Sequence, residues 1–219
     1  MLDIIKNTVE YQGFGPNMLT AGAIGAMVVL LWESWGILAQ IKKIWHERAA
    51  ETLSSYMFGY TTAFMAASIP YGMATKSATI VISAGVVFLL HLPIMWGIMT
   101  FRGYTRQETA ITGAFFLMVI AMIAIPSWMD GFYLAFSIGT LYAFGTQAWQ
   151  IWREKTAGTL EIKLILVYMA SSVFWGCYAF AAGLVPLMIL NPLFFLIMLL
   201  IVVLWRRYKN APEAMAARE

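Results

Sequence analysis

The chain has 219 residues, of which 61% are hydrophobic and 11% charged, and its formal net charge is +3. A soluble domain carries about a quarter charged residues, so this composition excludes one. The charges sit in short islands between apolar runs of roughly 17 to 25 residues, the length that crosses a bilayer core as a helix. The sequence is therefore that of an integral, multi-pass membrane protein with no room for a separate soluble domain. Its basic residues flank the apolar runs, which gives no case for nucleic acid.

Residues 1–17 form an N-terminal segment. Asp3 and Glu10 spoil a basic start and no apolar core precedes Pro16, unlike a signal peptide. Leu2, Ile5 and Val9 fall on one helical face, which suits the headgroup zone. Seven spans follow, predicted at 18–41, 55–74, 78–100, 110–127, 131–152, 162–183 and 185–205. Gly183 and Pro186 are the only breakers between the last two. Merged, those two would exceed forty residues, far beyond bilayer thickness. Met57, Met65 and Met73 recur at helical spacing in the second span and are read as packing residues. Cys177, the only cysteine, is read as a small buried hydrophobe.

With the N-terminus outside, the inner segments carry Lys42, Lys43, Arg48, Arg102, Arg106, Arg153, Lys155, Lys163, Arg206, Arg207, Lys209 and Arg218, while the outer ones carry only Lys6 and Lys76. This bias predicts an external N-terminus and a cytoplasmic C-terminus. Trp45, Trp96, Trp149, Trp152 and Trp205 fall at the inner interface and Trp128 at the outer one, as an aromatic belt does.

Residues 40–53 and 147–160, 107 positions apart, share seven identities: Gln, Ile, Trp, Glu, Ala, Thr and Leu. The first copy belongs to spans 1–3 and the second to spans 5–7. Three is an odd number, so the copies run parallel only because span 4 lies between them. The expected fold is an all-α membrane protein of seven transmembrane helices, two parallel three-helix repeats joined by a linker helix (3+1+3). Its parts are a first bundle at 18–100, the linker with its loops at 101–130, a second bundle at 131–207 and a cytoplasmic tail at 208–219.

Several polar residues interrupt the apolar runs. Glu33 lies in the middle of span 1, where a carboxylate is costly and marks an internal pathway. Gly36 and Gln40 continue its face, and the second copy reads Thr140, Ala143 and Gln147. Gln40 and Gln147 are expected to bond backbone near the helix ends. Counting residues from the span starts puts His91 and Glu33 at similar depth, which predicts a contact between them, holding the acid or relaying a proton. Tyr71 and Tyr178 are related by the repeat and are placed either at the outer mouth or in the belt. Two histidines and one cysteine make no metal site. No nucleophile triad or phosphate-binding glycine loop is visible. Neither an enzyme nor a cofactor is expected.

The chain resembles the PQ-loop superfamily, which includes the SWEET sugar facilitators. Ala39-Gln40-Ile41 and Thr146-Gln147-Ala148 occupy the family's Pro-Gln slots, and Ala50-Glu51-Thr52-Leu53 and Ala157-Gly158-Thr159-Leu160 its following turns. The 3+1+3 layout is similar to that of the SWEETs, whose repeats run parallel about an axis along the membrane normal. Trp175-Gly176-Cys177-Tyr178 with Asn191 sixteen residues after the tryptophan matches the family's sugar-pocket pattern. The first copy has Ser68 in the tryptophan's place and Ala84-Gly85 in the Asn-Gly slot. Both Pro-Gln prolines are replaced, and Met57 and Leu164 stand near the other expected prolines. The resemblance implies that Trp175, Asn191, Ser68 and Ala84, with Glu33 and Thr140, line a substrate site. An indole face suits the C–H face of a sugar and an amide its hydroxyls.

The leading expectation is a facilitator for a small polar solute, a sugar first, working by alternating access. A proton-coupled carrier of amino acids or related molecules using Glu33 is the alternative. A receptor of the same fold is a third, but it needs a cationic pocket for a carboxylate, which the spans lack. A microbial rhodopsin needs a lysine in the last helix, and span 7 has none before Arg206. The lipid bilayer and the solute are the expected partners, and homo-oligomerisation stays open.

Overall fold

A computed structural model describes residues 6–50, 55–155 and 162–208. Among these there is no strand. A short helix, Val9–Gln12, precedes seven long ones: α1 (Met18–Glu47), α2 (Ser55–Ala74), α3 (Ala78–Phe101), α4 (Arg106–Ala124), α5 (Met129–Glu154), α6 (Ile162–Ala182) and α7 (Val185–Tyr208). Five of them, α1, α3, α4, α6 and α7, are long and apolar enough to cross a membrane. The two less apolar helices, α2 and α5, pack on each other, and α4 covers α2.

Helix ends follow local chemistry. Asn17, Ser77 and Thr105 cap α1, α3 and α4, each with its side-chain oxygen accepting a backbone N–H from the first turn. At α4 the cap is reciprocal, because the Glu108 carboxylate accepts from Thr105 N at 2.8 Å. Gly183, at φ +69°, ends α6, and Leu184 N donates back to Ala179 O at 3.0 Å before α7 begins. The two breakers thus separate the helices where the sequence places the boundary. The expected span 110–127 is shifted: α4 starts at Arg106, where the capping box sits, and Pro126 opens a 3₁₀ turn instead of closing the helix. Helix α1 runs six residues past its expected end, because Lys42, Lys43, His46 and Glu47 still prolong the helix beyond its apolar stretch.

The copies share local structure as well as sequence. Arg48 and Lys155, 107 apart, both adopt the left-handed conformation that ends α1 and α5, at φ 52° and 55°. Ile44 and Ile151 are both fully buried, as are Tyr71 and Tyr178. Residues 51–54 and 156–161 lie outside the described residues.

The six helices other than α4 close a ring. In order of contact it runs α1, α3, α2, α5, α7, α6 and back to α1. Glycines permit the closest approaches. A Cβ on Gly22 would lie 2.6 Å from the backbone nitrogen of Tyr178, so α1 and α6 touch main chain to main chain. Gly139 of α5 likewise leaves room for the ring of Tyr60 from α2.

Burial differs along the ring axis. At the end that carries Tyr71 and Tyr178, called the tyrosine end, one apolar cluster joins residues from all seven helices, among them Leu19, Phe64, Ile80, Met122, Phe136, Ala179 and Leu187. At the opposite, basic end, the buried apolar residues form two clusters. One, with Ile44, Ile94 and Ile98, belongs to α1 and α3 and touches Phe58 of α2. The other, with Ile151, Ile165, Met198 and Ile201, belongs to α5, α6 and α7.

Candidate functional site

Two helix interfaces link the α1–α3 and α5–α7 triplets, α1 with α6 and α2 with α5. The polar side chains singled out in the sequence distribute between them.

The α2–α5 interface is aromatic. The Tyr71 and Tyr133 rings stack at 3.9 Å and 4°. Ser68 donates to Phe64 O at 2.8 Å, and its oxygen lies 3.0 Å from the Tyr133 hydroxyl. Tyr60 reaches across to donate to the carbonyl of Phe136. Thr140 turns back to the same carbonyl at 3.3 Å. Thr62, Thr75 and Ser137 also bond the carbonyl four residues before them. This explains how two helices with so many hydroxyls tolerate an apolar setting, since Thr62, Ser68, Thr75, Ser137 and Thr140 each bond a carbonyl of their own helix. Asp130, at the start of α5, lies near Tyr71.

The α1–α6 interface carries the charge. Glu33 is half-buried and its carboxyl lies near the Ser171 hydroxyl, with Tyr168 one turn away on α6. His91 is somewhere else. It is buried on α3 against the edge of Phe58 of α2, ring centroids 5.9 Å apart, and its Nδ1 has no partner among the described residues. The predicted Glu33–His91 contact is therefore not made. Depth counted from span starts fails because α1 and α3 are staggered: Gly97 faces Ile44. That register sets His91 level with Leu38, about 7 Å along the axis from Glu33, and the two side chains serve different interfaces.

Trp175 and Asn191 lie in the second triplet. Trp175 is half-buried against the tyrosine-end cluster and meets the Tyr178 ring edge-on at 5.8 Å. Asn191 is buried, and its amide donates to Leu187 O at 2.8 Å. The asparagine is not a helix-start cap, because α7 begins six residues earlier at Val185. Its Cβ lies against Gly176, beside Trp175, so the two residues are neighbours across the α6–α7 contact. Ala84 is buried on α3, far from that pair in the ring. Gln40 is half-buried, and no side-chain hydrogen bond to backbone is found for it among the described residues. The side chain of Gln147 lies outside the described residues. Met57 and Met73 are exposed on the outside of α2, so the expected packing role holds at most for Met65, which touches the core cluster.

Tyr178 is wholly buried and sits in a dense polar knot. Its hydroxyl donates to Glu10 Oε1 at 2.6 Å and lies 2.6 Å from Ser77 Oγ. Glu10 also accepts from Ala78 N at 3.1 Å, Thr79 N at 2.8 Å and Ser77 Oγ at 3.2 Å. Burial alone pushes the Glu10 carboxyl up, but the bonds from Tyr178 and the Thr79 amide outweigh it and hold the group below its ordinary value. Sequence reasoning used Glu10 only against a signal peptide. Nothing local marks it, since its partners are 67 to 168 residues away. Tyr133, Asp130 and Ser171 were missed for the same reason.

The best-defined hollows among the described residues are peripheral. One of about 560 Å³ flanks the start of α1 at Asn17 and Ala21, and one of about 350 Å³ lies at the basic end around Arg102, Tyr104 and Glu108. In the second, Arg102 pairs with Glu108 at 2.6 Å and Ser55 also donates to that carboxylate. No group of His, Cys, Asp and Glu suited to a metal occurs among the described residues. No model of a known protein family matches the chain, and no curated protein matches it.

Proposed function

We propose that the chain is a membrane carrier in which two parallel three-helix bundles, α1–α3 and α5–α7, rock against each other to pass a small polar solute, with α4 as the linker. The observation that carries this reading is the asymmetry of burial: one shared cluster at the tyrosine end and one private cluster per bundle at the basic end. A rigid, non-moving protein gains by packing both ends alike, whereas a carrier needs its halves to part at one end at a time. The contact pattern supports the bundles. In each, the third helix lies between the other two, and exchanging the bundles turns the α1–α6 interface into the α5–α2 interface.

The site between the bundles includes Glu33, Ser171, Tyr60 and Thr140, with Trp175 and Asn191 beside it. Hydroxyls, an amide and aromatic faces fit a sugar, the leading solute class. The basic end faces the cytoplasm in this reading, by the positive-inside bias. Uptake of a panel of sugars, amino acids and vitamins into proteoliposomes is the test. Trp175→Ala and Asn191→Ala should each lower uptake at least tenfold for the transported solute; unchanged rates in both would remove them from the path.

A second reading, proton coupling, is favoured by the position of Glu33, which faces the other bundle near the Ser171 hydroxyl. Glu33→Gln should then abolish the effect of a pH gradient while leaving exchange of solute. A wild-type protein indifferent to the gradient would exclude coupling.

A further inference from the structure

The N-terminal segment is outside both bundles, yet it is bound to each of them. Val9 N donates to Lys76 O at 3.0 Å, which lays the segment along the start of α3. Glu10 then uses both carboxylate oxygens. Oε2 takes the Ala78 amide, and Oε1 takes the Thr79 amide, the Ser77 hydroxyl and the Tyr178 hydroxyl. The first three donors belong to the amino end of α3, where unpaired N–H groups and the helix dipole favour an anion. The fourth belongs to α6. A phenol has one proton to give, and Tyr178 spends it on this carboxylate. Ser77 has one as well, shared between Glu10 and the Tyr178 oxygen, while Ser77 Oγ itself accepts from Ile80 N at 3.0 Å.

We propose that residues 8–13 are a latch: through Glu10 they tie α3 of the first bundle to Tyr178 of α6 in the second, and this tie must break for the molecule to open at its tyrosine end. The idea rests on the carrier reading for its purpose, but its geometry and test do not. At the other bundle interface an acid also lies near a tyrosine, Asp130 near Tyr71, but both belong to the helices themselves. The Glu10 tie is carried by a separate segment, which also has a backbone bond to Lys76 and local bonds within residues 8–20, such as Asn17 Nδ2 to Gly13 O at 2.8 Å. Such a terminal segment can leave without unfolding any of the seven long helices.

Hydrogen–deuterium exchange in nanodiscs tests this without any transport assay. Glu10→Ala should speed exchange about tenfold at two places, residues 78–80 and the 176–182 end of α6. Tyr178→Phe keeps the buried ring and removes only the hydroxyl. It should speed exchange at 8–13 and 176–182, and at 78–80 by less than Glu10→Ala does, because Glu10 still caps α3 whenever the segment is docked. If Glu10→Ala affects 78–80 alone, or Tyr178→Phe leaves 8–13 unchanged, Glu10 is merely a helix cap and the latch is overturned. Should Glu10→Ala fail to fold, Tyr178→Phe decides the matter by itself. Failure to find a transported solute would leave either result standing.

Discussion

The two ends of the helix ring are built on different principles. At the tyrosine end, aromatic rings, glycine contacts and acid–tyrosine pairs bind helices of both triplets into one cluster. At the basic end, each triplet packs inward on its own isoleucines and methionine, and Arg102 and Glu108 pair within one triplet and its linker. The difference teaches where cohesion between the triplets resides. Apolar area alone does not join helices in lipid, because lipid tails are as apolar as leucine. Close backbone approach and polar bonds do, and both are concentrated at the tyrosine end.

Substitutions can break that contrast. Tyr133→Ala removes the ring stacked on Tyr71 and the partner of Ser68, and it should cost about 3–5 kcal/mol, read as a large fall in the thermal midpoint in detergent. A comparable loss without separation of the triplets would contradict the assignment of cohesion to this end. The glycines sharpen the comparison next. Gly22→Ala pushes a methyl into the Tyr178 main chain, which cannot yield, and should destabilise by about 1–3 kcal/mol. Gly36→Ala, lower on the same helix with open space around it, should stabilise by about 0.5–1 kcal/mol through helix propensity. Equal effects in a thermal-shift assay would show that the ends are packed alike. At the basic end, Thr105→Ala deletes the α4 cap and should cost about 1 kcal/mol, with no change in contact between the triplets.

The smallest expected effect is that of pH on the Glu10 tie. The carboxyl is held below its ordinary value of 4.5 when docked. Docking is thus favoured fully above that value and weakens as pH falls through the lowered one. Facing it are Tyr178, Ser77, the amides of Ala78 and Thr79, and the backbone of Lys76. Exchange at residues 8–13, corrected for its intrinsic pH dependence, should stay constant from pH 8 to about 5 and rise only below. A rise near neutrality would assign the tie to another group.

The sequence by itself determined the helical, membrane-embedded character of the chain, the positions of its long helices and the helix break at Gly183. These follow from local quantities: the length of apolar runs, the capping residues and the residues that tolerate positive φ. It also paired Arg48 with Lys155 and Tyr71 with Tyr178, because a 107-residue repeat is visible as identity. The tertiary structure decided which polar residues meet. The stagger between α1 and α3 separates Glu33 from His91, and the chain's return brings Glu10 to Tyr178 across 168 residues. Register between helices depends on side-chain packing at every level of the bundle, and no residue count along one chain segment contains it.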